Sequence, residues 1–228
     1  MRTQNGCAWR LLAAACLGMM AVAAGAQSWT FDGGNEGWKV RDLSNYADTG
    51  TTYSVDWSAT GGSTGGYISR VDPSGGYYFF DAPIAPATDY SAYIGGVLDF
   101  SLRGDFNDWT TDSYVVLRGL SGGNVTTLLG FVPVLPETSE WLSYSLSLKA
   151  TAFELAANPG TVPTPEVFRD VMSNLSMVLL PAEFGNGVKE TTALDSVRIT
   201  AIPEPATYAA LLGGAILALV TIRRYRQR

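Results

Sequence analysis

Carboxylates are the side chains in this sequence best placed to do chemistry. The chain has no histidine, and its two cysteines, Cys7 and Cys16, both fall near the N-terminus. Ser-His-Asp and Cys-His nucleophile systems need imidazole or thiolate, as do the usual zinc and copper sites, so these classes are excluded. What survives is glycosidic cleavage by two facing carboxyl groups. Glu36, Glu137, Glu140, Glu154 and Glu183 are the candidate glutamates. Their spacing pairs none of them, and most fall in turns or at strand ends, where surface placement is expected. No catalytic residue is assigned, and the expectation is a protein that is not an enzyme.

The remaining motifs have plain readings. Gly61-Gly62-Ser63-Thr64-Gly65-Gly66 lacks the lysine and helix of a phosphate loop and reads as a turn. Arg103-Gly104-Asp105 spells an integrin-type tripeptide, which a strand ending in a charged turn also explains. Asp105-Phe106-Asn107-Asp108 with Asp112 is acidic but lacks the EF-hand glycine and closing glutamate. Aromatic residues offer flat faces on which sugars can stack. Trp57, Trp109, Tyr46 and Tyr90 lie in or beside polar stretches; Trp57 and Trp109 are the candidate ligand-binding residues, and Trp109 is expected to be exposed. Trp29, Trp38 and Trp141 alternate with core positions and are expected to be buried.

These residues must be held by strands. Period-two alternation recurs along the chain, and long helical patterns are nearly absent. Short strands are expected at 28–32 and 38–41, then at 51–57, 67–71 and 77–80. A Pro- and Ala-rich crossing loop follows at 81–92, then strands at 96–102, 114–120, 125–132 and 141–148. One helix is expected: Thr164 as N-cap, Pro165 in the first turn, Glu166 suiting the dipole, and Val167, Phe168, Val171 and Met172 on one face. Residues 175–180 alternate too little for a half-exposed strand and belong in the middle of a sheet. A last strand at 193–199 closes an all-β, antiparallel β-sandwich with one short helix, and a jelly roll would let the first and last strands meet.

Both ends carry signals for export. Arg2 and Arg10 flank a short n-region, residues 11–24 are apolar, and Ala24-Gly25-Ala26 is a small-residue cleavage site, so residues 1–26 read as a signal peptide helix. Both cysteines would leave with it, and the exported body would carry no disulfide although its compartment permits one. Cys16 as a lipoprotein cysteine is the alternative, disfavoured by Ala13 in place of leucine. The body, residues 27–200, holds 9 Lys or Arg against 20 Asp or Glu, a net charge of −11 that should repel nucleic acid and anionic membrane surfaces.

The tail, residues 201–228, runs Pro203-Glu204-Pro205, then 17 mostly apolar residues at 206–222, then Arg223, Arg224, Arg226 and Arg228. As a helix the apolar run would reach about 25 Å, the short end of a transmembrane span, with the arginines as a cytoplasmic stop. This order resembles the PEP-CTERM sorting signal of Gram-negative bacteria; an ordinary tail anchor is the alternative. The resemblance implies recognition of Pro203, Glu204 and Pro205 by an exosortase. It also implies residence of the C-terminal helix in the inner membrane before processing, and a host that makes exopolysaccharide.

Several stretches of the body resemble the laminin B (domain IV) module. They include Tyr78-Phe79-Phe80-Asp81, Gly96-Val97-Leu98-Asp99-Phe100, Val115-Val116-Leu117-Arg118-Gly119, Trp141-Leu142-Ser143-Tyr144, Phe168-Arg169-Asp170-Val171 and Leu194-Asp195-Ser196-Val197, in matching order. Trp29-Thr30-Phe31-Asp32 with Glu36-Gly37-Trp38 also resembles the start of many carbohydrate-binding jelly rolls. The laminin resemblance implies an extracellular matrix module without catalytic residues. Jelly-roll binding modules often hold a structural Ca²⁺ with carboxylates of the first and last strands, and by that resemblance Asp32, Glu36 and Asp195 would converge if the termini pair. The alternative is that Asp195 caps a turn and Asp32 starts a hairpin. The expectation is an exported, exosortase-sorted protein of the cell envelope, outer surface or extracellular matrix that binds exopolysaccharide or another glycan. Protein–protein matrix contacts without glycan are the second reading, and a glycoside hydrolase the third.

Overall fold

Alternating side chains bury an apolar face of most strands between two antiparallel sheets, and among the described residues of 26–202 there is one α-helix. The computed structural model describes residues 25–72, 77–106, 113–132, 139–185 and 188–202, together with Gly213 and Arg223. The chain divides into a unit Ala26–Ile202 and a unit made of Met1–Gly25 with Pro203–Arg228. In the second unit, Gly213 and Arg223 are helical. The sorting tripeptide, Arg224, Arg226, Arg228, most of both apolar runs and Trp109 lie outside the described residues. Among the described residues no helix is long and apolar enough to cross a membrane.

Thirteen strands are described in Ala26–Ile202: β1 Gln27–Trp29, β2 Lys39–Leu43, β3 Thr51–Ser54, β4 Asp56–Ser58, β5 Tyr67–Val71, β6 Tyr77–Asp81, β7 Val97–Gly104, β8 Ser113–Ser121, β9 Asn124–Val132, β10 Leu142–Ser147, β11 Phe153–Leu155, β12 Leu175–Pro181 and β13 Thr191–Thr200. The six-stranded sheet runs β10-β7-β13-β5-β4 with β1 also paired to β13, so the first and last strands meet. The seven-stranded sheet runs β11-β9-β8-β12-β6-β2-β3. β12 sits between β8 and β6, as its weak alternation predicts.

Residues 51–57 depart from the single strand expected there. The chain leaves the seven-stranded sheet at Ser54, buries Val55, and re-enters the six-stranded sheet as β4. Between the sheets pack Trp38, Phe31, Phe80, Phe100, Leu102, Val115 and Leu180 with many neighbours. Each large side chain buried there contributes about 2–3 kcal/mol of transfer free energy. Trp38 meets Trp29 and Phe31 edge-on, with ring centroids 5.4 and 5.9 Å apart.

The helix, α1 (Pro165–Ser173), forms as its sequence dictates. Thr164 Oγ1 accepts the Val167 N–H at 3.3 Å, Pro165 opens the first turn, and Phe168, Val171 and Met172 are buried. Its C-terminus lies so close to β8 that a Cβ on Gly119 would meet the carbonyl oxygens of Val171 and Asn174 at 2.6 and 2.7 Å. Only glycine permits that approach.

Candidate functional site

The seven-stranded sheet is apolar on both faces. Val40, Tyr78, Phe80, Val115, Leu117, Leu128, Val178 and Leu180 point into the main core. The opposite phase of the same strands carries Leu43, Phe79, Val116, Leu129, Met177 and Leu179, a second buried cluster on the sheet's outer side, against which Tyr46, Tyr114 and Ala156 pack. Over this cluster the pairing register lines up a row of rings. Phe131 on β9 faces Tyr114 on β8, and the Val116–Leu179 pair brings Tyr114 level with Pro181 on β12. Pro181 pairs with Phe79 on β6, and Phe79 with Arg41 on β2. From β9 to β6 the row crosses three strand spacings, about 14 Å.

Loop 44–50 lays Tyr46 across the middle of the row. Its ring centroid is 5.0 Å from Tyr77, 6.3 Å from Phe79 and 6.2 Å from Tyr114. Burial pushes the Tyr46 phenol far above its ordinary range. The loop is pinned from below: Arg118, on β8 and 3% exposed, donates to the carbonyls of Tyr46 and Asp48 and, through Nε, to Thr127 Oγ1 at 3.1 Å. Arg41 donates to the Thr49 carbonyl and pairs with Asp81 at 2.7 Å. Within the loop the Ser44 hydroxyl donates to Asp48 at 2.7 Å and, with backbone N–H groups, holds that carboxyl down at about 2.

Two exposed rings flank this surface, Phe131 at the β9 end of the row, 48% exposed, and Tyr77 beside Phe79 on β6, 40% exposed. Flat rings with a polar rim of Arg41, Asp81 and Glu154 are suited to stacking on the apolar face of a sugar while hydroxyl groups find donors and acceptors at the edge. Sequence reasoning singled out Tyr46 but missed Tyr77, Tyr114 and Phe131. The available signal was that β6, β8, β9 and β12 are apolar in both phases, which marks a sheet with two occupied faces.

The predicted residues lie elsewhere. Trp57 is 44% exposed at the edge of the six-stranded sheet, and its indole N–H donates to the Phe31 carbonyl at 2.7 Å. Tyr90, which lies in or beside a polar stretch of the sequence, is buried with its hydroxyl donating to Gln27 Oε1 at 2.7 Å. Trp141, expected in the core, is half-buried on the outer side of the six-stranded sheet beside Arg103, because it stands in the opposite phase from Leu142, Tyr144, Leu146 and Leu148, which face the core.

Asp32, Glu36 and Asp195 each hold backbone. Glu36 accepts the Phe31 N–H at 2.7 Å and Asp32 the Gly66 N–H at 3.4 Å; Asp195, fully buried, accepts those of Thr64 at 3.0 Å and Ser196 at 2.5 Å. Both aspartates thus border loop 61–66. Asp195 Oδ2 and the carbonyl oxygens of Gly65 and Gly66 face the space that a Cβ on Gly62 would fill. Phe31, Glu36 and Ser196 have left-handed backbones, at φ of 56°, 50° and 54°, each costing on the order of 1 kcal/mol. Among the described residues no group of three or more carboxylates is placed to hold a metal ion.

Glu183 corrects its expected surface placement. It is 4% exposed, beside Asp72 and Glu190 at 1% each, and accepts the Tyr78 N–H at 3.0 Å. Burial is the first cause that raises its carboxyl to about 8, with the charges of Asp72, Glu190 and Asp42 adding and the Tyr78 N–H opposing. Burial likewise raises Glu190 to about 7 against the N–H groups of Phe184 and Gly185. The flanking Pro181-Ala182 and Phe184 carry Glu183 inward, a turn that charge alone does not announce. Glu154 is tied to the Gly160 N–H at 2.7 Å, and Glu137 lies outside the described residues.

No protein-family model matches this chain. No curated protein matches it either. Solved structures do. The L4b domain of human laminin alpha-2 aligns with a TM-score of 0.59 at 12% identity, over 77% of this chain and 97% of that one. The family 11 carbohydrate-binding module of the cellulosomal cellulase Lic26A-Cel5E of Clostridium thermocellum aligns with a TM-score of 0.49 at 12% identity, over 80% and 98%. The chain is therefore similar in fold to a laminin L4b domain, as the order of its strand motifs led us to expect.

Proposed function

We propose that this chain is an exported, non-enzymatic β-sandwich of the jelly-roll type that binds a glycan on the outer face of its seven-stranded sheet. The observation that carries the reading is the row Phe131–Tyr114–Phe79 with Tyr46 and Tyr77, a contiguous ring surface left partly bare. Glycan is favoured over a peptide because the β8, β12 and β6 backbones beneath the row are already paired on both sides, so only side chains can bind. Glu183 and Glu190, both buried, lend no support to a hydrolytic role. The test is affinity electrophoresis or calorimetry of the purified full-length chain against exopolysaccharide and a panel of neutral glucans. Wild type is expected to bind a subset of neutral glycans, and Tyr114→Ala with Phe131→Ala to weaken that binding at least tenfold while the variant still unfolds in one cooperative transition, at a midpoint lowered by the loss of the Tyr114 ring. If no neutral glycan binds, the glycan reading fails and self-association becomes the property to measure.

Sorting belongs to the same reading: Pro203-Glu204-Pro205 would be the exosortase's recognition site and the arginines the membrane stop. Calcium is its structural complement. The donors at loop 61–66 are hard oxygens, as this ion requires, and Asp32 and Asp195 with loop carbonyls would hold it, Glu36 staying on the Phe31 amide. The ion would supply charge neutralisation for the buried Asp195 and no chemistry. Adding millimolar Ca²⁺ in place of chelator is expected to raise the unfolding midpoint by several degrees, and Asp195→Asn to abolish the rise. An identical midpoint in both conditions removes calcium from the proposal.

A further inference from the structure

We infer that a groove on the outer face of the six-stranded sheet is a second binding site, for a carboxylate-bearing sugar. The groove encloses about 280 Å³ and is lined by Tyr67, Ser69, Arg103, Asp105, Ser139 and Thr191 among others. Its shape follows from the register: Arg103 on β7, Ala193 on β13 and Ser69 on β5 stand in one row across three paired strands. The small central alanine leaves a dip between two larger neighbours.

Arg103 is the feature that selects the ligand. Its guanidinium carbon lies 4.9 Å from the centroid of the Tyr67 ring and 4.7 Å from that of Trp141, and the two rings meet nearly edge-on at 72°. One carbonyl ties the assembly together: Gly61 O accepts from Arg103 Nη1 at 3.3 Å and from the Trp141 indole at 3.0 Å. Stacking removes most of the side chain's rotamer freedom before any ligand arrives, and a planar fork held this way matches a carboxylate in two parallel hydrogen bonds. Arg103 forms no ion pair with a described residue, although acidic residues outnumber basic ones twofold in the body. Asp105 lines the same groove but forms no ion pair with Arg103, turning its Oδ1 to the Thr191 N–H at 2.7 Å. The Arg103-Gly104-Asp105 tripeptide is thus engaged within the fold and not displayed as a free loop.

The rest of the groove supplies what a sugar ring needs beside its carboxylate. Ser69 and Ser139 offer hydroxyls, Asp105 an acceptor for ring hydroxyls, and Tyr67 an apolar edge. A peptide carboxylate is the weaker fit, since β7, β13 and β5 have spent their main-chain groups on one another and leave no edge for a bound strand. The volume suits one or two sugar rings. This site uses no residue of the aromatic row, so the two stand or fall separately.

The experiment is calorimetry of the purified full-length chain with an oligogalacturonate and with the same oligomer after its carboxylates are reduced to alcohols. Wild type is expected to bind the first at least tenfold more tightly than the second, and to lose that preference as salt is raised. Arg103→Gln should cost at least tenfold for the uronate, and Arg103→Lys, which keeps the charge without the fork, should fall between. Neutral-glycan binding and the unfolding midpoint of both variants serve as fold controls, and Tyr114→Ala with Phe131→Ala should leave uronate binding intact. Equal affinity for the reduced oligomer, an Arg103→Gln variant that is folded and binds as wild type, or no uronate binding at all overturns the proposal. So does an acidic peptide that competes as well as the uronate, which would mark a general anion site.

Discussion

Glu183→Gln is expected to make the protein more stable at pH 8 and to leave it nearly unchanged at pH 4.5. The folded state raises this carboxyl from about 4.5 to about 8, chiefly by burial. Between those values the folded chain holds a proton that the unfolded chain has released, so stability falls as pH rises through the window. The contribution is fully present below about pH 4.5 and lost as the pH passes 8. Glu190 acts in the same direction up to about 7. At about 1.4 kcal/mol per pKa unit, the two together weigh on the order of several kcal/mol, a large fraction of a domain's net stability. Glutamine copies the neutral carboxyl and can still accept the Tyr78 N–H, so the variant keeps the low-pH state at every pH. Asp48, held at about 2, works the opposite way and loses its contribution as pH falls from about 4 to 2, which places the stability maximum near pH 4–5. Urea unfolding at pH 4.5, 6 and 8 checks this. A wild-type midpoint that is flat from pH 5 to 8, or a Glu183→Gln variant with the same slope as wild type, would sink the idea.

The pH behaviour rests on a placement that local sequence does not reveal. Glu183 follows Pro181 and Ala182 at a strand end, the usual setting of a solvated charge, and only the arrival of Asp72 and Glu190 over it makes a buried acidic cluster. By contrast, features set by local spacing were legible. The helix at Pro165–Ser173 begins at its predicted cap, β12 lies in mid-sheet as its weak alternation required, and β1 pairs with β13 as closure of a sandwich demands. What spacing could not locate was the change of sheet at Val55, since a half-buried strand and one that crosses between layers alternate alike. β11, at three residues, is too short for periodicity to register.

The binding faces divide the same way. That Tyr46 would be near the surface could be read from its polar neighbours. That it would lie on Tyr77 and Tyr114 depends on chain segments some 30 and 70 residues away. Trp141, expected among the core residues, precedes β10 in the opposite phase from Leu142, Tyr144 and Leu146, so its ring turns outward and lies against Arg103 from a neighbouring strand. Arginines were the common blind spot. Three of them, Arg41, Arg103 and Arg118, organise the two outer faces, and each takes its partners from across a sheet or a loop.

Arg118→Met should therefore do more than remove a charge. Arg118 interrupts the apolar run Val115-Val116-Leu117 on β8 and is buried under loop 44–50, where burial lowers its pKa from the usual value without discharging it. Two of its bonds go to the Tyr46 and Asp48 carbonyls and one to Thr127. Bonds from a charged donor are worth about 1.5–3 kcal/mol each, but the freed carbonyls can regain water if the loop lifts, so the net loss should be about 2–4 kcal/mol. Methionine fills the same volume with a flexible apolar chain, which separates the lost bonds from a lost contact. Apart from the packing of the Tyr46 ring, the loop's other side-chain ties include Arg41 to Thr49 and Ser44 to Asp48, surface bonds of small worth. With Arg118 gone the loop should open, exposing Tyr46 to cleavage by chymotrypsin and withdrawing its ring from the aromatic row. Neutral-glycan affinity should then fall while Phe131 and Tyr114 remain in place, and Arg118→Lys should recover part of the stability but little of the affinity, since an ammonium cannot span two carbonyls as a fork does. Uronate binding at Arg103, on the other sheet, should not change. A variant that unfolds at the wild-type midpoint and gains no chymotryptic site would mean that the loop holds itself down, and that the arginine beneath it is only filler.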